Sequence, residues 1–217
     1  MNIIKISDTI YPKNLLNINN PPKQLYVLGD TANLNTFGLA IIGCREYSEY
    51  GKKIAKKLSF SLAKKGVNII SGMAKGIDSF AHIGCMTAGG KTIAVLGSGF
   101  DYIYPKENLE IFKEIIKTGG TIVTEFEPNT KPLGSNFPLR NRIISGLSDG
   151  VIVIEARKQS GTLITVDYAL DQGKEIFAVP GNINNSSSYG TNQMIRDGAK
   201  IVTCLEDILE EYSHIFR

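Results

Sequence analysis

GVIVIEARKQSGTLITVDYALDQGKEIFAVPG, residues 150–181, reads as strand, turn, helix and strand. The first run (GVIVIEA, 150–156) and the last (EIFAVP, 175–180) are short and apolar on both faces, and a periodic segment over 161–172 separates them. Strands buried on both sides and joined through a helix indicate a parallel sheet covered by helices. The same alternation extends in both directions. Further runs are LAIIG (39–43), VNIIS (67–71), TIAVLG (92–97), TIVTEF (121–126) and KIVTC (200–204). Helical patterns lie near 48–65, 77–88, 107–117, 138–147, 189–197 and 205–212. The expected fold is α/β: an extended, Rossmann-like, doubly wound and mostly parallel sheet of about seven strands, with helices on both faces. Residues 25–217 form this domain, and residues 1–24, with NINNPP at 17–22, read as a short N-terminal extension.

In such a sheet, ligands collect outside the carboxyl ends of the strands. There the sequence places GCR (43–45), SGMAKGID (71–78), GSGFDYIYP (97–105), EPNTKPLGSN (127–136) followed by FPLRNR (137–142), ARKQSGT (156–162) and PGNINNSSSYGTN (180–192). Glycines at strand–helix turns let backbone N–H groups approach an anion, and helix N-termini add partial positive charge. Arg45, Lys75, Arg140, Arg142, Arg157 and Lys158 fall on this rim or within a turn of it. A groove suited to phosphates is expected. No GxGxxG follows the first core strand and no GxxxxGK[ST] occurs, so the usual dinucleotide and P-loop nucleotide modes are disfavoured.

Charge is uneven. Residues 1–80 hold 11 Lys and Arg against 5 Asp and Glu, whereas residues 151–217 hold 6 against 9. The basic excess gathers in YSEYGKKIAKKLSFSLAKKG (47–66), where Ile54, Ala55, Leu58 and Leu62 share one side of a helix and Lys52, Lys53, Lys56 and Lys57 face away. Such a stripe fits either a solvated face or an anionic partner. No apolar run approaches the ~18 residues of a membrane span, and the first residues lack a secretory pattern, so a cytoplasmic protein with no membrane contact is expected. Cys44, Cys85 and Cys204 are far apart, which argues against a disulfide or zinc framework. His82 sits inside a helical stretch as a polar core candidate, His214 lies near the end, and no metal-ligand spacing or nucleophile–base pair is evident. No metal, cofactor or catalytic residue is assigned.

The order of motifs is more specific than any one of them. SGMAKGID, VLGSGFDYIYPKEN (95–108), TEFEP (124–128), FPLRNRIISGLSDGVIVIEA (137–156), SGTLITVDYAL (160–170), FAVPG (177–181) and YGTNQMIRDGA (189–199) together resemble the DNA processing protein A family, also called Smf. The resemblance spans about residues 11–212. It implies an extended Rossmann domain that binds and protects single-stranded DNA, helps load the RecA recombinase in DNA uptake, transformation and recombination, and forms a homodimer. Many members also carry a SAM-like domain before this one and a winged-helix domain after it, and neither is expected within this chain.

Single-strand binding without base preference needs a cationic groove and stacking faces. The expected contacts are Arg45, Gly72, Lys75, Gly97, Ser98, Gly99, Ser135, Phe137, Arg140, Lys158, Ser160 and Gly161, with Arg45 on a phosphate and Phe137 under a base. Within the resemblance, Arg45 matches the arginine after the first core strand and Phe137 the aromatic before R-N-R. The family's basic residue near the SG turn is displaced here to Lys158, with Gln159 nearer its place. Arg140 and Arg142 point ~200° apart on a helix. Arg140 is expected to face the groove, and Arg142 to pair with Glu125 or Glu155. Met194, Ile195 and Ile201 are expected at a dimer or RecA surface. Two other classes remain open. One is a phosphoribohydrolase of the lonely-guy type, whose PGGxGTxxE motif ends in a catalytic Glu where this chain has Ile164 and Thr165; the other is a nucleotide-sensing module.

Overall fold

A computed structural model describes residues 1–216. Nine strands form one sheet: β1 (Asn2–Lys5), β2 (Gln24–Gly29), β3 (Gly38–Ile42), β4 (Asn68–Ser71), β5 (Thr92–Val95), β6 (Thr121–Thr124), β7 (Gly150–Val153), β8 (Glu175–Ala178) and β9 (Lys200–Ile201). Their order is β1-β2-β6-β5-β4-β3-β7-β8-β9. The seven strands from β3 onward run parallel, while β2 pairs antiparallel with both β1 and β6. The central strands β3 to β7 are buried along their whole length, as expected of apolar runs covered on both faces.

The chain winds from β3 outward to β6 and then returns across the sheet to β7, which places the topological switch between β3 and β7. Helices α2 (Glu49–Lys64), α3 (Ile77–Thr87), α4 (Leu109–Lys117) and α8 (Glu206–Leu209) cover one face. Their core residues include Leu58, Leu62, Ile77, Ala81, Ile115 and Ile208. Helices α1 (Lys13–Leu16), α5 (Asn136–Leu147), α6 (Gly161–Asp171) and α7 (Tyr189–Arg196) cover the other, through Leu15, Ile143, Ile144, Leu147, Val166 and Met194. The sheet is therefore doubly wound.

Strands β1 and β2 lie outside the seven apolar runs that mark the other strands in the sequence. Residues 1–24 carry β1 and α1, and Ile4, Tyr11, Leu15 and Ile18 lie in the core, so this segment packs as part of the domain. His82 is fully buried, with Nδ1 2.7 Å from Thr92 Oγ1. Burial pushes its pKa down to about 3, so it stays neutral.

Candidate nucleic-acid interface

The carboxyl ends of β3, β4 and β7 open onto a cleft of about 660 Å³. It sits at the switch point, where the loops leaving β3 and β7 part in opposite directions. Its wall is built from Gly43 to Glu46 after β3, Ala74 and Asp78 at the start of α3, Tyr104, Gly134, Phe137, Arg140 and Asn141 around the start of α5, and Arg157 with Gln159 to Thr165 at the start of α6. Three helices thus begin at the cleft and direct partial positive charge toward it. Ser160 caps α6 by accepting the N–H of Thr162 at 3.2 Å.

Arg45 is exposed, and among the described residues no carboxylate lies within ion-pair distance of it. Its guanidinium carbon is 5.7 Å from the centre of the half-buried Phe137 ring. Tyr104 tilts against the same ring at 5.4 Å. A Cβ on Gly97 would meet Phe137 Cδ1 at 2.8 Å, so the absence of a side chain at Gly97 makes room for the ring. Arg45, Phe137 and Tyr104 together form a cationic and aromatic lip.

Arg140 also lines the cleft, 5.9 Å from Phe137, but it is only 4% exposed. Its Nη1 donates to the carbonyls of Gly72 (2.7 Å) and Val95, and its Nε donates to Asn141 Oδ1 at 3.1 Å. Burial pushes its pKa down to about 10, with the positive charge of Arg45 acting the same way and Asp78 opposing, so it stays cationic. Arg140 thus faces the cleft from within its wall, as a buried strut between the carbonyls that follow β4 and end β5. Asp78 accepts N–H groups from Gly72 (3.1 Å) and Ala74 (3.4 Å), and burial raises its pKa. The β4–α3 turn needs left-handed backbone at Met73 (φ +57) and Gly76 (φ +83). Asn108 holds it by donating to the Met73 carbonyl at 2.8 Å.

Arg142 points away from the cleft and makes a bidentate pair with Glu125 at 2.6 and 2.7 Å. Glu155, the alternative partner, instead accepts from the backbone N–H and hydroxyl of Ser48 at the start of α2. Of the other expected contacts, Ser160 and Gly161 line the cleft. Gly72, Gly97, Ser98 and Gly99 lie buried behind it and shape its floor and turns. Lys75 is exposed and pairs with Glu107 at 2.6 Å, Ser135 is exposed beside the cleft, and Lys158 sits over the Tyr189 ring at 5.7 Å. The reading had not singled out Tyr104 or Glu46. Glu46 pairs with Arg157 at 2.7 Å and partly neutralises that side of the mouth. Tyr104 and Glu46 lie in or directly after strand-end segments of the rim, GSGFDYIYP and GCR, and only the loop geometry shows that their side chains reach the cleft.

A doubly wound α/β domain with an open, cation-edged and aromatic-edged crevice at its switch point defines a Rossmann-like binding module. The chain belongs to the DNA recombination-mediator protein A family, whose model matches residues 2–213. It is 43% identical to protein Smf of Escherichia coli (strain K12) over 96% of its length, and it spans 56% of that protein. It is 42% identical to DNA processing protein DprA of Bacillus subtilis (strain 168), covering 97% of this chain and 71% of the relative. The crystal structure of DNA processing protein A from Streptococcus pneumoniae superposes with a TM-score of 0.91 at 40% identity, over 97% of this chain and 74% of that one. A solved structure of DNA processing protein A from Helicobacter pylori, described for its single-stranded DNA binding mode, superposes at 0.88 with 31% identity, over 99% of this chain and 97% of that one. A molybdenum cofactor carrier protein of Chlamydomonas reinhardtii, at 18% identity and a TM-score of 0.55, over 82% of this chain and 97% of that one, shares the fold. Among the described residues no helix is long and apolar enough to cross a membrane, and no acidic, His and Cys cluster could hold a metal ion.

Proposed function

We propose that this domain binds single-stranded DNA without base preference along the cleft, protects it, and helps load RecA onto it during DNA uptake and recombination. The observation that carries this reading is the lip: a guanidinium at Arg45 with no acidic partner among the described residues, beside the half-buried ring of Phe137. A guanidinium fork suits phosphate oxygens, and an aromatic face accepts any base. The likeness to the Helicobacter pylori protein supports the same class of ligand. In this reading Arg140 contributes charge from within the wall. Lys75, Lys158 and Ser135 serve the approaches, and the N-terminal N–H groups of α6 at Ser160 and Gly161 donate to a second phosphate.

Titration of matched single-stranded and duplex oligonucleotides at two salt concentrations tests it. Tighter binding of the single strand is expected, with the log–log salt slope growing by ~0.7 for each phosphate held. Equal affinity for duplex, or a flat salt response, overturns the reading. Hydrolysis of nucleotides has no support in the cleft, because α6 presents Ile164 and Thr165 where the lonely-guy type needs its acid. We assign no enzymatic activity.

We also propose a homodimer through the C-terminal third, near Tyr189 to Leu205. Ile201 is 48% exposed on β9, a two-residue strand at the free edge of the sheet. Ile195 on α7 is half-buried, and Met194 packs partly on the core. RecA would compete for this surface. Light scattering at micromolar concentration is expected to give the mass of two protomers, and the mass of one contradicts the proposal.

A further inference from the structure

The lysine stripe of α2 does not behave as one solvated face. Lys53 and Lys57 point into solvent, whereas Lys52 and Lys56 fold back over the ring of Phe80 on α3, at 5.7 and 5.5 Å from its centre. Tyr47 packs edge-on against the same ring at 4.7 Å and is itself 41% exposed. The result is a patch in which the exposed Tyr47 ring and the half-buried Phe80 ring, which also packs on the core, are flanked by two ammonium groups. Of the two lysines, Lys52 has an acidic neighbour, the exposed Glu49 at 3.3 Å.

This patch adjoins the cleft. Tyr47 follows Arg45 by two residues, which span at most ~7 Å. Phe80 lies on the first turn of α3 two residues after Asp78, which lines the cleft. Rings bracketed by ammonium groups are the pairing that a nucleic-acid strand of arbitrary sequence needs, with bases on the rings and phosphates on the cations. We propose that a single strand leaves the cleft across Arg45 and continues over a second stacking station made of Tyr47, Phe80, Lys52 and Lys56. The inference rests on the single-strand reading of the cleft and extends the path outward over α2 and α3. A strand short enough to fill only the cleft does not reach this station, and a longer one does.

Labelled oligothymidylates of about 6 and about 20 nucleotides, the first near the low end of the ~4–16 nucleotides of a single-strand site and the second beyond its high end, are titrated against the parent, Tyr47→Ala and the double variant Lys52→Gln/Lys56→Gln. The parent is expected to bind the long strand more tightly. Tyr47→Ala should weaken the long strand about fivefold or more, the lower limit of one base–aromatic stack, and leave the short strand unchanged. The lysine variant should lower the long strand's salt slope by ~1.4, two phosphates' worth, again sparing the short strand. All three side chains are at the surface, so melting temperatures should hold, and a variant that melts early is replaced by Tyr47→Leu or Lys→Met at the same positions. If both variants bind the long strand like the parent, or weaken short and long strands alike, the station is wrong while the cleft stands. A parent that binds neither length overturns the cleft reading and the station with it.

Discussion

Arg45→Ala is expected to weaken single-strand binding about tenfold or more, since a hydrogen bond to a charged group contributes ~1.5–3 kcal/mol. The side chain is exposed and unpaired among the described residues, so the melting temperature should not move. Phe137→Ala removes the stacking face, a loss of ~1–3 kcal/mol per base, or roughly 5- to 150-fold in affinity. Phe137 is half-buried against Gly97 and Tyr104 and therefore also supports the fold locally. Phe137→Leu separates the two effects, because it keeps most of the packing and loses the aromatic face. Fluorescence anisotropy beside a thermal melt reads both quantities. If Arg45→Ala binds like the parent, the interface lies elsewhere.

Arg142→Ala should do the reverse. Its guanidinium is 4% exposed and ties together three parts of the chain: Glu125 after β6, the carbonyl of Asn20 (3.0 Å) and the carbonyl of Leu139 (2.7 Å). Removing one partner of a buried pair strands the other, at a cost of ~3–5 kcal/mol. For a domain of this size each kcal/mol lowers the melting temperature by ~2–4 °C, so a fall of roughly 6–20 °C is expected. Single-strand affinity measured well below that transition should stay near the parent's. A melting temperature within ~2 °C of the parent's would place the pair among those that contribute little.

These two arginines show what the sequence carries and what it does not. Helical spacing alone separates Arg140 from Arg142, and acidic residues at strand ends left two candidate partners for the second, Glu125 and Glu155, of which the structure pairs it with Glu125. Spacing cannot show that Arg140 is buried, because the carbonyls it serves, on Gly72 and Val95, lie 68 and 45 residues away in the chain. The parallel sheet was legible because each of its strands is an apolar run followed by a helix of regular period. Strand β2 (QLYVLG) was not, since a short 3-10 turn follows it in place of a covering helix and one of its two partners, β6, is remote. The glycines of 97–99 were legible as a turn at a strand end. They act by making room for Phe137 and for the carbonyls of Glu127 and Pro128 rather than by facing the cleft.

The pairing of β2 with β6 bears on how the domain is made. Tyr26, opposite Ile3 on one side, finds its partner on the other only when Thr124 exists. At ~5–20 residues per second, a ribosome takes about 5–20 s to reach that point. Until then β1 and β2 have only each other, and a two-stranded hairpin is marginal in water. Leu25 and Val27, fully buried in the finished domain, therefore wait uncovered during synthesis. These side chains stay open to misassociation until β6 has emerged and α5, whose Ile143 and Ile144 share their core cluster, has followed it.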